Sequence, residues 1–213
     1  MKTGTIILLI AWLCVSTAQA QKKIEKHISF SGKEALELNL SIADSIHVQT
    51  WNKNEFYATA SVNINENKDN DAYLTSFEES GSKIIVNANF KEDYFKGRDN
   101  CCNESDIYWE VFIPEKAVFS IETINADVVI TGKTDEMNVK SISGYIDLAI
   151  PEKQPANIDF STITGTVYSN HNLAQAGIQR SSHSVIKDKL NNGGSLIKLE
   201  TISGDIFFRK SSL

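Results

Sequence analysis

The side chains with the most evident chemical potential are two adjacent thiols, Cys101 and Cys102, in a charged segment. Adjacent cysteines can close a strained eight-membered ring, and strained disulfides are easily reduced and sometimes redox-active. The pair could also link two molecules or, with Asp99, Glu104 and Asp106, hold part of a metal site. A structural zinc site needs four ligands, usually in spaced pairs, and no histidine lies nearby. The sequence favours an exposed loop without chemistry, so we expect no metal and no cofactor, and a disulfide or redox pair stays an alternative.

A histidine and an arginine occupy positions that are apolar in similar segments of the chain. His183 stands where an isoleucine is expected, and Arg180 stands three residues before it. Two polar groups inside a β-structure would need hydrogen-bond partners. The sequence therefore predicts that this segment is loosened and that both side chains reach solvent. The alternative is a site in which His183 acts as an acid, a base or a ligand.

Two carboxylates, Asp127 and Asp147, have a spacing that glycoside hydrolysis could use. If they lie one strand apart and two residues along, roughly 8 Å separates their backbones. Inverting glycosidases hold their carboxyl groups roughly 6.5–9.5 Å apart. The pattern gives neither residue a cleft or an arginine partner. The sequence also lacks a Gly-x-Ser-x-Gly elbow, a His-Glu-x-x-His motif and a phosphate-binding glycine loop. We therefore expect a protein that is not an enzyme.

The second half of the chain repeats a twelve-residue pattern four times between Phe119 and Phe208. Apolar and polar residues alternate in each half of the pattern, which is typical of a strand with one buried face. The two halves are out of phase, because three residues separate Ile121 from Ile124, so each copy is predicted to form a strand, a corner and a second strand. We expect the central isoleucines to stack in a dry interior and the glycines to permit a sharp bend or a close backbone approach. These central residues are Ile124, Ile142, Gly144, Ile163, Gly165, Ile202 and Gly204.

The spacing of the copies indicates the fold class. The central isoleucines are 18, 21 and 39 residues apart, and the last spacing is about twice the others. A degenerate copy is therefore expected between the third and fourth, with its centre at residues 181–184. A period near 20 predicts an all-β solenoid of short strands with about 20 residues per coil. A β-sandwich built from hairpins is the alternative, since frequent turn signals suit it too.

The chain reads as a leader followed by one domain. Lys2, the apolar run 6–15 and the small residues 18–20 predict a secretory signal peptide over residues 1–20, and the run is too short for a membrane-spanning helix. Residues 21–213 then form a single β domain with its clearest repeats at 119–208. Removing Lys2 leaves 20 basic and 27 acidic residues, a net charge of −7. This acidic chain lacks a basic run, so nucleic acid is not an expected partner.

Three aromatic residues follow the glycines at outward positions and suggest a binding face. Tyr145, Tyr168 and Phe207 would project from one side of a stack, with Asp147 beside them. Aromatic side chains on a flat β-face suit the binding of sugars or proteins. The alternative is that the N-terminal strands cover this face and that the rings belong to the core.

The repeated Ser/Thr-Ile-Ser/Thr-Gly-x-Ile/Val steps behind a signal peptide resemble the exported bacterial "putative adhesin" family of β-strand repeats, a family of unknown function. The strand pair with Trp51 and the Ile-Pro114 step are similar to it as well, so the resemblance spans about residues 27–210. It implies a right-handed β-helix-like fold, a cell-envelope, periplasmic, surface or extracellular location, and no catalytic residues. We expect a non-enzymatic, adhesin-like scaffold that binds a protein or a glycan. A carbohydrate-active β-helix enzyme and an envelope-stress accessory acting through a partner protein are the alternatives.

Overall fold

A computed structural model describes residues 21–96, 104–173 and 184–211 of the chain. This part of the protein is all-β, with fifteen strands and one short 3₁₀ helix at Asn70–Ala72. No helix among the described residues is long and apolar enough to cross a membrane. The strands are β1 (Lys22–Ser29), β2 (Ala35–Leu40), β3 (Ile42–Trp51), β4 (Glu55–Ile64), β5 (Tyr73–Ser80), β6 (Lys83–Phe90), β7 (Ser105–Pro114), β8 (Val118–Thr131), β9 (Met137–Ser143), β10 (Ile146–Ile150), β11 (Ala156–Thr162), β12 (Val167–Ser169), β13 (Ser184–Leu190), β14 (Leu196–Ser203) and β15 (Ile206–Lys210).

The strands form two ladders that share the long strand β8. The first ladder runs β5-β6-β2-β8-β9-β14-β11-β13, and the second runs β1-β4-β7-β3-β8-β10-β15-β12. The first half of β8 pairs with β2 and β9, and its second half pairs with β3 and β10. The central pairs are parallel and the outer pairs are antiparallel, except at β12, so the sheet is mixed, and it is not closed.

Side chains from the two ladders meet in one core. Phe160 on β11 packs edge-on against Phe208 on β15, with ring centroids 5.2 Å apart. At the other end of the core, the indole of Trp109 on β7 donates a hydrogen bond of 3.2 Å to the hydroxyl of Tyr73 on β5. That hydroxyl donates in turn to the carbonyl oxygen of Ile42, and burial raises the pKa of Tyr73 to about 12. Two packed ladders with alternating inward residues give a layout close to the β-sandwich alternative.

Each of the four repeats forms a strand, a corner and a second strand, as its pattern predicts. The copies are β8, β9 with β10, β11 with β12, and β14 with β15. They do not stack in chain order, because β14 lies between β9 and β11, and β15 lies between β10 and β12. The fourth copy is therefore inserted between the second and the third. A solenoid of successive coils is not shown.

The degenerate copy expected between the third and fourth copies falls partly outside the described residues. The part that is described, β13, pairs antiparallel with β11 at the edge of the first ladder. Val185 at its start is exposed. A parallel coil stacked in register does not fit this strand, so that expectation is wrong for residues 184–190.

Candidate binding surfaces

The four central isoleucines lie on the outside of their corners, not in the core. Ile124, Ile142, Ile163 and Ile202 are 51%, 48%, 45% and 46% exposed. The residue before each isoleucine is buried in its place, at Thr123, Ser141, Thr162 and Thr201. The prediction that the isoleucines stack in a dry interior is therefore wrong. The isoleucine and the residue after it both face outward, so the alternation of side chains changes phase just after the isoleucine. The sequence pattern predicts this change before the isoleucine.

The buried hydroxyl explains why a polar residue faces inward at the corner. Thr162 Oγ1 donates a hydrogen bond of 2.9 Å to the carbonyl oxygen of Gly204 and accepts one of 3.0 Å from the backbone N–H of Gly165. Ser141 Oγ donates to the carbonyl oxygen of Ser143 over 2.8 Å. Where the chain leaves one ladder for the other, backbone groups lose their regular partners and need replacements. A hydroxyl supplies them and an isoleucine cannot.

The glycines of the corners allow neighbouring copies to approach closely. A Cβ atom on Gly144, Gly204 or Gly165 would lie less than 3 Å from the carbonyl oxygen of the residue beside it in the stack. The Cβ on Gly144 would meet Ala126, the Cβ on Gly204 would meet Gly144, and the Cβ on Gly165 would meet Gly204. Only Gly144 among the three has a positive φ, at 102°. The other two positions therefore need glycine for space rather than for backbone conformation.

The exposed isoleucines line a shallow groove of about 700 Å³ along the outside of the first ladder. In the order of the strands, the row is Ile124, Ile142, Ile202 and Ile163, which we call the isoleucine row. A second row lies two residues earlier on the same strands and contains Glu122, Lys140, Glu200 and Ser161. Lys140 Nζ lies 3.8 Å from Glu122 Oε1, and both side chains are about half exposed. This surface is not evident in the sequence, because the alternation of residues assigns the isoleucines to the core.

The aromatic residues singled out in the sequence form a second exposed surface, on the outside of the second ladder. Tyr145 is 37% exposed and Tyr168 is 49% exposed, so these rings are not core. The rings of Tyr168 and Phe207 stack with centroids 5.2 Å apart, and Tyr145 packs edge-on against Phe207 at 5.9 Å. We call these three residues the aromatic face.

A two-pronged ion pair lies beside the aromatic face. Arg209 donates from Nε and from its terminal nitrogen to the two carboxylate oxygens of Asp147, over 2.7 and 2.6 Å. This hydrogen-bonded carboxylate raises the pKa of Arg209. Burial, with Asp127 and Asp147 nearby, raises the pKa of Tyr145, so its hydroxyl is neutral at ordinary pH. The expectation that Asp147 has no arginine partner is wrong.

The carboxylate pair considered for glycoside hydrolysis is engaged in structural contacts. Asp147 is bound by Arg209, and Asp127 accepts a hydrogen bond of 3.2 Å from the backbone N–H of Tyr145. Asp205 has the same role in another copy, since it accepts from the N–H of Thr166 over 2.8 Å. These contacts join neighbouring copies.

The remaining candidate residues of the sequence cannot be placed. Cys101, Cys102, Arg180 and His183 all lie outside the described residues. Within the described ranges, no group of three or more His, Cys, Asp and Glu residues could hold a metal ion.

One buried histidine was not singled out in the sequence. His171 is 4% exposed and stacks on the ring of Phe208 at 4.2 Å. Burial lowers the pKa of His171, and a backbone hydrogen bond with Arg209 and the nearby Glu152 act against this shift. Nothing in the local sequence marks this side chain as buried, because it follows the short edge strand β12.

Comparison with known proteins gives relatives in fold. No family model matches the chain, and no curated protein matches it. A "putative cell adhesion protein" from Clostridium sporogenes ATCC 15579 aligns with a TM-score of 0.55 and 12% identity, over 90% of this chain and 100% of that one. A "putative lipid binding protein" from Parabacteroides distasonis ATCC 8503 aligns with a TM-score of 0.38 and 11% identity, over 69% of this chain and 54% of that one. A "putative adhesin" from Bacteroides fragilis NCTC 9343 aligns with a TM-score of 0.34 and 7% identity, over 90% and 98%. At these identities the first likeness shows a shared fold, and the other two carry no further weight.

Proposed function

We propose that this chain is an exported, non-enzymatic scaffold that binds a glycan through the aromatic face. The observation that carries the proposal is a cluster of the exposed Tyr145 and Tyr168 with the half-buried Phe207, beside the Asp147–Arg209 pair. Sugar rings have apolar C–H faces that pack on aromatic rings, and hydroxyl groups that bond to fixed charged groups. Both kinds of contact are present on one surface.

The aromatic face is also held rigidly, which favours binding. Phe207 and Tyr168 occupy paired positions on the parallel strands β15 and β12, and Asp147 pairs with Phe207 from β10. The hydrogen bonds from Arg209 fix the carboxylate of Asp147 in one orientation. A ligand that binds here therefore orders few protein side chains, and less conformational entropy is lost on binding.

Several features support an exported, adhesin-like role. The signal peptide expected at residues 1–20, the resemblance to the "putative adhesin" repeats and the shared fold with a protein of that description all agree with a location in the cell envelope, at the surface or outside the cell. The parallel pairing of the four repeats supports a β-helix-like stack as the rigid part of the scaffold. An enzyme is less well supported, because Asp127 and Asp147 already hold structural contacts.

Serine substitutions at the aromatic face test this function. The full chain is screened on an array of microbial and host polysaccharides, and affinities for the glycans that bind are measured by calorimetry. Tyr168→Ser and Phe207→Ser should each weaken binding about two- to tenfold, the scale of one aromatic contact of roughly 0.5–1.5 kcal/mol. Tyr108→Ser is the matched control, because Tyr108 is a 46% exposed tyrosine on the same ladder but outside the aromatic face.

Two results would overturn the proposal. One is a wild-type chain that binds no glycan on the array. The other is a variant with Tyr145, Tyr168 and Phe207 all replaced by serine that keeps its urea midpoint and all of its glycan binding. A protein ligand captured by the same face in place of a glycan would assign the surface to the protein alternative.

A further inference from the structure

We propose that the isoleucine row is the contact surface for a second copy of this chain. The two copies would be related by a two-fold axis that lies parallel to the strands and midway between β9 and β14. In this arrangement each copy lays the outside of its first ladder against that of the other. The inference rests on the isoleucine row and its neighbouring charges, and it is independent of the glycan proposal.

The isoleucine row is a contiguous apolar surface that the corners themselves do not require. Each corner has two successive outward residues, and the second is polar in every copy, at Asn125, Ser143, Thr164 and Ser203. The first is always isoleucine and is about half exposed. Single exposed apolar residues are ordinary, but a contiguous apolar patch marks an interaction surface. The four side chains stand on adjacent strands about 4.8 Å apart, so they form one continuous apolar strip along the groove.

A two-fold axis at this position matches the row with itself. Rotation about an axis between β9 and β14 places β9 opposite the second copy's β14, and β8 opposite its β11. Ile142 then faces the second copy's Ile202, and Ile124 faces its Ile163. Because the axis runs along the strands, each residue keeps its height along the strand, and apolar side chains meet only apolar side chains. An interface of this kind is closed and stops at a dimer.

The charges beside the isoleucine row select the same axis. Across the strands, the row two residues earlier is Glu122, Lys140, Glu200 and Ser161. The proposed rotation places Lys140 opposite the second copy's Glu200, twice in the dimer, and Glu122 opposite an uncharged Ser161. An axis on β9 would place Lys140 opposite itself, and an axis on β14 would place Glu200 opposite itself. Like charges oppose binding, so of these three axes the one between β9 and β14 is complementary.

The side chains that would form these contacts are available. Lys140 is 47% exposed, and its distance of 3.8 Å from Glu122 is long for an ion pair. Glu200 is 34% exposed and pairs with Lys198 on its own strand. Because both charges lie at the surface, they can turn toward a second copy. The aromatic face is on the other ladder and stays open in such a dimer, which would then carry two binding faces and gain avidity for a repetitive ligand.

The first test measures the mass of the full chain by analytical ultracentrifugation over a range of concentrations. We expect a concentration-dependent dimer, and a monomer for Ile142→Asp at the same concentrations. Ile142→Ser is a milder variant with the same expectation, and unchanged urea midpoints exclude unfolding as the cause. Leu74→Asp is the matched control, because Leu74 is a 51% exposed aliphatic residue on β5, separated from β8 by β6 and β2, and it should leave the dimer intact.

The second test is a charge exchange that reports the position of the axis. Lys140→Glu or Glu200→Lys alone should weaken the dimer about tenfold, because each places like charges opposite one another. The double variant Lys140→Glu with Glu200→Lys restores opposite charges and should return the dimer to within about threefold of the wild type.

Three outcomes would overturn the inference. The first is a wild-type chain that is monomeric up to its solubility limit, including one that binds a fatty acid or a hydrophobic dye in the groove instead. The second is a dimer that survives Ile142→Asp. The third is a double charge variant that dimerises no better than the single variants, because that result excludes the proposed axis.

Discussion

Replacing Gly204 with alanine is a direct test of how the repeats are stacked. The added Cβ would lie 2.8 Å from the carbonyl carbon of Gly144 and closer still to its oxygen, although the φ of Gly204 is not positive. The colliding group is backbone and cannot turn aside, so the fourth repeat must move away from the second. That movement strains the adjoining hydrogen bond of 2.9 Å from Ile146 N–H to the carbonyl oxygen of Asp205.

The expected loss of stability follows from this geometry. Forcing an extra carbon into a packed site costs about 1–3 kcal/mol, and a backbone clash belongs at the upper end, about 3 kcal/mol. Alanine also restricts the unfolded chain, which returns about 0.4–1 kcal/mol. The net loss is then about 2 kcal/mol. With a urea m-value of about 2 kcal/mol/M, the unfolding midpoint should fall by about 1 M.

A matched variant separates the clash from the general effect of removing a glycine. Gly81 has a φ of 58°, and no atom lies within 4 Å of the position that a Cβ would take, so Gly81→Ala introduces backbone strain without a clash. Left-handed alanine costs about 1–2 kcal/mol, and the unfolded-chain effect offsets part of it, leaving about 1 kcal/mol or less. If Gly204→Ala lowers the urea midpoint no more than Gly81→Ala does, the close approach of the second and fourth repeats is refuted.

The inward hydroxyls of the corners give a second prediction. Thr162→Val removes the partner of Gly165 N–H and Gly204 C=O, and should cost about 1–3 kcal/mol in urea unfolding. Thr201→Val at the equivalent position should cost little, since that buried hydroxyl has no partner among the described residues; equal losses would contradict the hydrogen-bond account. For His171, burial lowers the folded-state pKa, so the unfolded chain binds its proton more readily. Stability should be fully present above pH 6.5 and decline as pH falls below it, and His171→Phe should flatten that decline in urea midpoints; an unchanged pH dependence would contradict it.

The strands and the existence of the corners could be predicted from the sequence. Alternation fixes which residues of a strand share a face. The three-residue offset between Ile121 and Ile124 predicts a change of face near these two residues. The pattern predicts this change of face on the N-terminal side of the isoleucine, if the more apolar residue is the buried one. The structure places it after the isoleucine, and the buried position belongs to Thr123.

Hydropathy cannot locate the change of face, because the decisive interaction involves the backbone. The corner leaves carbonyl and N–H groups without ladder partners, and Thr162 and Ser141 bond to such groups from inside. A hydroxyl that satisfies a buried backbone group removes a cost of about 1–3 kcal/mol, which is on the scale of burying the neighbouring isoleucine side chain, about 1.5–3 kcal/mol. Only the path of the backbone shows which residue has that task.

The order of the repeats could not be predicted either. All four copies present the same alternation, and three of them the same glycine, so each could pair with any other, and a regular spacing favours neighbours in the chain. Instead, the edge strand β13 is followed by a turn in which Asn191, Asn192 and Gly193 have left-handed backbone conformations. After this turn, β14 pairs with β11. The outward positions of Tyr145 and Tyr168 do not depend on this order, because alternation alone gives them, whereas whether other strands cover that face stays open in the sequence.

The same correction changes the meaning of the repeat. If the isoleucines were core, their recurrence in four copies would need no explanation beyond packing. Because they are about half exposed, the corner hydrogen bonds and the glycine spacing account for the fold without them. The order of this row, Ile124, Ile142, Ile202 and Ile163, follows from the insertion of the fourth copy next to the second. The insertion places Lys140 and Glu200 on the two central strands of that row, so the surface has charges that match under a two-fold rotation. A stack in chain order would lack this match, because it would place Lys140 next to Ser161 instead.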